Sequence, residues 1–379
     1  MKNFYVIKTG FEFLDLSIAY GFSWYLEELK REKSKPVILK DHILYYLIES
    51  PDFDSNKKEV ILSLLPKNTN RLPKIYYSLD LGLATLNEAE RKRFLEKINK
   101  ILKIHIKNFD LIFEKFSNID ISNQVNSVFG DKKENYFTLY GSIDPRGLKG
   151  ERKVKKTLYY SEGSFYRIPF ENLIFSIIGI SQFGFGQIKH QKPKEWILIL
   201  PKPNLEKGIQ IKFLEEDIFG VKRKIKIFHP GGVLVTVALN ALYLEKEIKS
   251  RRHTIGIDTL FFNHLIGTSQ KPKVGKEGRF SFDMLNKLSF SLSEEKFNHL
   301  IDIWIKLFEI SKKKKSFEEL GNALSHFLFN PTLSNFERYL KTHLRLYLNS
   351  QAKNAPIFKK VELYDQNLIK EISKYVLSN

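Results

Sequence analysis

Cysteine is absent from this sequence of 379 residues. The chain therefore has no disulfide, no cysteine-ligated zinc ribbon or zinc finger, and no thiol nucleophile. Long hydrophobic runs are missing too: the longest, VLVTVALNALYL at positions 233–244, contains Asn240 and is too short to cross a bilayer, so it predicts a buried helix. The opening residues MKNFYVIKTGFEF lack the apolar core of a signal peptide. We therefore expect a cytoplasmic protein.

Acidic residues are too few to balance the basic ones. The 62 Lys and Arg residues face 43 Asp and Glu residues, which gives a net charge of +19. Biased codon usage would enrich lysine, but it would enrich glutamate as well, so the surplus needs another cause. A surplus of this size predicts a polyanionic partner, which is either nucleic acid or an anionic membrane surface. The hydrophobic content of 42% is enough for a sizeable core.

The composition and apolar pattern of the sequence change twice along the chain. This organisation predicts an α+β fold. The length fits two domains or one large composite domain. Strands in the middle carry lysine at alternating positions, which would give them one cationic face and one buried face. Capping boxes at Ser316 to Glu319 and at Ser334 to Glu337 begin late helices. The predicted regions are an α-rich N-terminal region at 1–127, a basic α+β nucleic-acid-binding region at 128–280, and a C-terminal helical bundle at 281–379.

Several individual elements are also predicted from local pattern. Apolar residues at helical spacing predict a helix after the first strand at 2–8, and PFENLIFSIIGISQFG predicts a buried helix. The stretch VILKDHILYYLIES predicts a strand followed by a helix. The stretches KVKKTLYY, WILILPKP, GIQIKFLEE and RKIKIFHP predict strands, while Asn87 with Glu90 predicts the start of a helix that ends near Phe116.

The stretch GSIDPRGLKGERKVKKTLYY contains the residue types of a metal-dependent nuclease. Asp144 and Glu151 could hold Mg²⁺, and Lys153 could stabilise the developing charge. The two acids lie close together in sequence across two glycines, which leaves little room for two strands to present them. Triplets of an acid, any residue and lysine also recur by chance in a lysine-rich chain. A metal-dependent nuclease acting on DNA or RNA therefore stays the alternative to a protein without catalysis.

Other catalytic motifs do not fit the sequence. Gly275 and Lys276 are followed by Glu277, where a phosphate-binding loop requires Ser or Thr. The nine histidines show no metal-ligand spacing, and His229 before Pro-Gly-Gly is read as a turn residue. No Gly-x-Ser-x-Gly motif is present for a serine hydrolase. We therefore expect no catalytic residue, no metal and no cofactor.

Five basic runs in the middle region predict the binding surface. A single run would be read as a solvated face, as is KKKK at 312–315, but five runs in one region favour a shared site. Backbone amides and long side chains in such Gly- and Pro-rich segments can reach phosphates, and the interleaved Phe183, Phe185, Trp196 and Phe280 could stack on bases or wedge a duplex open. A membrane surface is less favoured because it calls for an amphipathic basic helix. The predicted nucleic-acid-binding residues are Arg146, Lys149, Arg152, Lys153, Lys155, Lys156, Gln187, Lys189, Gln191, Lys192, Lys222, Arg223, Lys224, Arg251, Arg252, Lys276 and Arg279.

Three parts of the sequence resemble the large subunit of type I CRISPR interference complexes (Cascade). The opening stretch KTGFEFLDLSIAYGFSWYL resembles their first strand, Thr-Gly turn and helix with an early Asp. The stretch IPFENLIFSIIGISQFGFGQ resembles their apolar central helix and glycine loop, and the terminal helices resemble their last domain. Some relatives in this family carry a cysteine-based zinc site, which this chain lacks.

The resemblance implies a subunit without an active site. Such a protein would join a crRNA-containing complex with other CRISPR subunits, recognise the protospacer-adjacent motif on double-stranded target DNA, assist unwinding and later help to recruit a helicase-nuclease. RNA pairing would read most of the sequence, and the protein would read a few base pairs plus backbone. By charge and loop context, Arg146, Lys149 and Arg152 are expected to contact the backbone. Gln187, Lys189 and Gln191 are expected to enter a groove, because Gln and Lys can read base edges. A structural protein whose basic face meets an acidic partner remains a further hypothesis.

Overall fold

The computed structural model describes residues 1–10, 12–65, 96, 99–104, 106, 109–119, 128–130, 136–138, 165–189, 194–224, 229–248, 256–268, 271–313, 317–352 and 366–378. It has an α+β fold that ends in a helical bundle, which confirms the predicted fold class. The chain forms two compact units. The first comprises Met1–Arg223, Arg251–Ile257 and Phe261–Gly278, and the second comprises Lys224–Ser250, Asp258–Leu260 and Arg279–Asn379. The boundaries placed by composition after residues 127 and 280 stay predictions.

The described elements include both strands and helices up to Ser281, about three quarters of the way along the chain, and are helical afterwards. The strands are β1 (Lys2–Ile7), β2 (Ile38–Asp41), β3 (Tyr45–Ser50), β4 (Val128–Gly130), β5 (Tyr136–Thr138), β6 (Phe165–Pro169), β7 (Phe185–Lys189), β8 (Lys194–Pro203), β9 (Ile209–Gln210), β10 (Ile257–Thr268) and β11 (Lys271–Ser281). The helices are α1 (Glu12–Leu29), α2 (Ile61–Leu64), α3 (Asp110–Ser117), α4 (Phe170–Phe183), α5 (Ile211–Lys224), α6 (Val233–Ile248), α7 (Asp283–Ser291), α8 (Glu294–Lys313), α9 (Glu318–Phe329), α10 (Leu333–Ala352) and α11 (Gln366–Ser378).

The described strands form three sheets. The first has the order β1-β3-β2-β9, the second β11-β10-β8-β7, and the third β4-β6-β5. The pairs β1–β3, β2–β3, β2–β9 and β7–β8 are antiparallel, as are the two pairs made by β6. Among the strands described above, β7 is therefore at one end of the second sheet and β1 at one end of the first.

The stretch VILKDHILYYLIES is a β-hairpin, so the predicted helix in its second half is wrong. In β3 the buried residues Tyr46, Ile48 and Ser50 alternate with half-buried ones. A period of two belongs to a strand with one face in the core. The pairing of Leu39 with Ile48 across the hairpin places two fully buried side chains on that face.

The stretch GIQIKFLEE is mostly helix, so the predicted strand is wrong beyond its first residues. Only β9 is extended, and α5 begins at Ile211. The buried residues Ile211, Leu214, Ile218 and Val221 recur at intervals of three and four, which is the spacing of one helix face. The polar residues between them allowed a strand reading of the short segment.

Helices α1 and α4 form the centre of the first unit and approach each other closely. A methyl group on Gly21 would lie 1.8 Å from the carbonyl oxygen of Phe175, and one on Gly179 would lie 1.9 Å from the carbonyl oxygen of Ser17. Glycine is needed at both positions because no side-chain atom fits between the backbones. Phe22 completes this core by stacking on Phe116 with ring centroids 4.5 Å apart.

The second unit is a bundle whose core contains aromatic side chains. Trp304 Nε1 donates a hydrogen bond to the hydroxyl of Tyr339 over 3.2 Å, and both residues are buried. Helix α9 ends at Phe329, immediately before Asn330 and Pro331 as predicted. The predicted cap at Ser334 is wrong, because α10 already begins at Leu333 and Thr332 Oγ1 accepts the hydrogen bond from the backbone nitrogen of Asn335.

Candidate nucleic-acid interface

Most of the surplus positive charge lies outside the described residues. The described residues hold 36 Lys and Arg against 32 Asp and Glu, whereas the remaining residues hold 26 against 11. The segment 139–164 alone contributes Arg146, Lys149, Arg152, Lys153, Lys155 and Lys156 against three acids. A polyanion attracted to this chain would therefore be attracted chiefly by segments beyond the described part.

Many predicted site residues fall outside the described residues and stay predictions. They include both acids of the alternative nuclease site. Lys276, Gln187 and Lys189 lie in described strands. The residues outside the description are Arg146, Lys149, Arg152, Lys153, Lys155, Lys156, Gln191, Lys192, Arg251 and Arg252, together with Asp144 and Glu151.

Lys222 binds the end of helix α4. Its Nζ donates hydrogen bonds to the carbonyl oxygens of Ser181, over 3.0 Å, and Gln182, over 2.9 Å. The last carbonyls of a helix have no partner within the helix, so a lysine there satisfies two of them. Burial lowers the pKa of Lys222 to about 8, and the nearby carboxylate of Glu215 acts in the opposite direction. A phosphate contact from Lys222 would have to compete with these two bonds.

The two residues after Lys222 have different surroundings. The guanidinium carbon of Arg223 lies 4.4 Å from the centroid of the Phe219 ring, and both side chains are exposed. Lys224 forms an ion pair with Glu247 instead. Within the run 222–224, Arg223 is thus the residue that combines an exposed cation with an aromatic surface.

Strand β7 carries two of the residues predicted to enter a groove. In the register with β8, Gln187 is opposite Ile197 and Lys189 is opposite Glu195. The Oε2 atom of Glu195 lies 3.0 Å from Nε2 of His264 on β10. The predicted readers therefore occupy the end strand of the described sheet, beside an acid–histidine pair. Arg279 is exposed on β11.

Sequence reasoning missed a cluster of charges that joins strands β2 and β8 to the residue that follows β1. The carboxylate of Asp41 binds the ammonium groups of both Lys8 and Lys202, the second over 2.9 Å. Lys202 also lies over the ring of Phe261, 5.1 Å from its centroid. All three charged side chains are mostly buried, at 14% to 18% exposed. The three residues are far apart in sequence, and no local motif indicates that they meet.

Asp15 is buried at the start of α1, where it holds the preceding Thr-Gly turn. Its two carboxylate oxygens accept hydrogen bonds from the backbone nitrogen and the hydroxyl of Thr9, each over 2.8 Å. Gly10 has φ of 91°, a conformation that favours glycine. Burial raises the pKa of Asp15 to about 7, although the bonds from Thr9 and the charge of Lys8 act to lower it. The early Asp after Thr-Gly was the sequence signal for this contact.

A buried serine–histidine pair in the second unit lacks the geometry of a nucleophile and its base. Ser311 Oγ lies 3.2 Å from Nε2 of His229. The backbone nitrogen of Gly231 donates to Nδ1 of His229, so Nε2 carries the proton and donates to the carbonyl oxygen of Phe308 over 2.9 Å. Burial lowers the pKa of His229, which favours this neutral form. Its role is to hold the Pro-Gly-Gly turn before α6.

The part of the chain that the structure describes offers neither a metal site nor a membrane span. No group of three or more His, Asp or Glu side chains among the described residues could hold a metal ion. Among the helices described above, none has the length and apolar character needed to cross a membrane.

Comparison with known proteins gives a relative but no function. No family model matches the chain. An uncharacterized protein of Archaeoglobus fulgidus is 24% identical over 387 residues, and the similarity covers 99% of each chain. The chain is thus similar to this archaeal protein over both compact units.

Proposed function

We propose that the chain is a nucleic-acid-binding subunit of an RNA-guided CRISPR antiviral complex. In this role it recognises the protospacer-adjacent motif and the target DNA duplex, assists unwinding and has no catalysis of its own. The observation that carries the proposal is the net charge of +19. The resemblance of the opening and central stretches to Cascade large subunits supplies the finer assignment.

The physical basis of the proposal is attraction to a sugar-phosphate backbone. Each Lys or Arg that neutralises a phosphate releases a counterion, so affinity depends steeply on salt. Such contacts position the protein without reading sequence, and a few side chains in a groove suffice to read a short motif. Gln187 and Lys189 on β7 are the candidates for that reading, and the guide RNA would read the rest.

The proposal predicts binding to DNA without cleavage. The purified chain, incubated with plasmid and either Mg²⁺ or Mn²⁺, is expected to leave the plasmid intact, and to bind a labelled duplex in fluorescence anisotropy. Cleavage that Glu151→Ala abolishes would establish the nuclease alternative with Asp144, Glu151 and Lys153 instead. Co-purification of guide RNA and other subunits from the native source would test the assembly.

The segment 139–164 should contribute directly to the salt dependence. Replacing Arg152, Lys153, Lys155 and Lys156 together by alanine should reduce the slope of log affinity against log salt by about 0.9 for each phosphate that the variant no longer neutralises. The matched control replaces the four lysines 312–315, which removes the same charge from a stretch read as solvated. A slope that falls equally in both variants would reflect net charge alone. A slope unchanged in the first variant would remove this segment from the interface.

A further inference from the structure

We propose that the exposed face of helix α5 is a stacking platform for unpaired bases, formed by Phe219 and Arg223. This inference rests on the proposed function and specifies one ligand within it: single-stranded nucleic acid, such as the strand displaced when a duplex opens. The observation that carries it is an exposed phenylalanine with an exposed guanidinium group over its ring.

Four exposed residues of α5 form one stripe. Lys212, Glu216, Phe219 and Arg223 follow one another at intervals of four, three and four residues, and all four are exposed. Side chains with this spacing lie on the same side of a helix. Phe219 has 52% of its surface exposed, and the Arg223 guanidinium lies 4.4 Å from its ring centroid. The stripe therefore presents a flat aromatic surface next to a positive charge.

The opposite side of α5 fixes this platform to the first unit. Ile211, Leu214, Ile218 and Val221 are fully buried, and Lys222 binds the end of α4 through two carbonyl oxygens. Lys212 lies over the ring of Trp24, 5.6 Å from its centroid. These contacts hold the helix in place. The platform therefore loses little conformational entropy when a ligand stacks on it.

An unpaired base matches the chemistry of this pair. Base faces stack on aromatic rings and on the planes of guanidinium groups, and both surfaces are present here. The bases of an intact duplex have their faces covered by their neighbours, so a duplex would use only the positive charge. Two cations on the stripe against one acid, Glu216, favour a polyanion. A lone exposed phenylalanine is ordinary on protein surfaces, but one paired with arginine on a rigid helix is suited to stacking.

The test compares single-stranded and duplex oligonucleotides of the same sequence by fluorescence anisotropy with the full chain. Phe219→Ala is expected to weaken single-strand binding about 5-fold to 150-fold, the range that corresponds to removal of the stacking of one base. The salt slope should not change, because every phosphate stays neutralised as before, and duplex affinity should change less than about twofold. Arg223→Lys, which keeps the charge but not the planar stack, should also weaken single-strand binding.

Phe213→Ala is the matched control, because Phe213 is on the same helix, is 36% exposed and lies about 120° around the helix axis from Phe219. It should bind both ligands like the wild type. If the wild type binds DNA and Phe219→Ala binds it equally well, the platform is wrong and the proposed function still stands. Equal losses for single strand and duplex would overturn stacking as well. A wild type that binds no nucleic acid, or binds only an acidic protein, would overturn both proposals.

A gain-of-signal variant gives a second readout that altered folding would not imitate. Phe219→Trp places a new indole on the platform. Trp24 and Trp304 are buried, and a parallel titration of the wild type, which also contains Trp196, gives the background signal to subtract. Stacking of a base on the new indole should quench its fluorescence as single strand is added, with a midpoint that matches the anisotropy titration. Fluorescence that stays unchanged at saturating single strand would contradict a base on this platform.

Discussion

Replacing Gly179 by alanine is expected to destabilise the first compact unit strongly. The added methyl group would lie 1.9 Å from the carbonyl oxygen of Ser17 and 2.9 Å from the backbone nitrogen of Gly21. Both atoms belong to the backbone of α1, so neither can turn aside as a flexible side chain would. Relief requires α1 and α4 to separate, which would disturb the aromatic core around Phe22. We expect a loss of about 3 kcal/mol or more, a large part of the roughly 5–15 kcal/mol of a typical domain.

The measurement is urea-induced unfolding followed by circular dichroism. Gly21→Ala should behave like Gly179→Ala, because its methyl group would lie 1.8 Å from the carbonyl oxygen of Phe175. The control is Gly10→Ala, where φ is 91° and the added methyl group meets no atom within 4 Å. That change should cost only about 1–2 kcal/mol through its backbone conformation. A Gly179→Ala midpoint equal to that of Gly10→Ala would show that the two helices can adjust.

The second large effect is a fall in stability as the pH rises towards neutrality. Burial raises the pKa of Asp15 from the ordinary value of 3.8 to about 7. Between these two values the folded chain binds the proton that the unfolded chain has released, so the free energy of unfolding falls as pH rises. The slope from this one group is at most about 1.4 kcal/mol per pH unit, and the total is about 4 kcal/mol.

Asp15→Asn should remove this dependence. The amide can accept the hydrogen bond from the Thr9 nitrogen through its oxygen and donate to the Thr9 hydroxyl through its NH₂ group. The unfolding free energy of the variant relative to the wild type should therefore rise between about pH 4 and pH 7 and stay level above. Thr9→Val is the companion variant. It removes one bond that lowers the pKa of Asp15 and should move the window upwards. An Asp15→Asn difference that is the same at pH 5 and pH 8 would contradict an elevated pKa.

The long apolar patterns predicted most of the described helices correctly. Helices α1, α4, α6 and α8 each extend over several turns, so their periodicity is unambiguous. Short segments failed where two periods fit equally well. The hairpin β2–β3 contains an apolar run that could satisfy either a strand or a helix, and its pairing with β1 decided the outcome. Residues 208–216 offered too few buried positions to reveal the helix that continues to Lys224.

The candidate site was predictable in its charge but not in the separate roles of its residues. The run of Lys222, Arg223 and Lys224 looks uniform in sequence, yet one binds a helix end, one stacks on a ring and one pairs with an acid. These roles depend on groups brought in by the fold, such as the carbonyl of Ser181 and the carboxylate of Glu247. A basic run in the sequence therefore indicates the class of binding partner, but it does not indicate which of its Lys or Arg side chains contacts that partner.

The division of the chain bears on how this protein can evolve. The second unit is built from Lys224–Ser250, Asp258–Leu260 and Arg279–Asn379, so it is not one continuous stretch. Within it, His229 before α6 is bonded to Phe308 of α8. A gene fragment that starts at residue 281 would encode α8 without His229 and without α6, which packs against it in this unit. A single crossover before residue 224 would carry residues 251–257 and 261–278 of the first unit along with the second, so we expect both units to be inherited together.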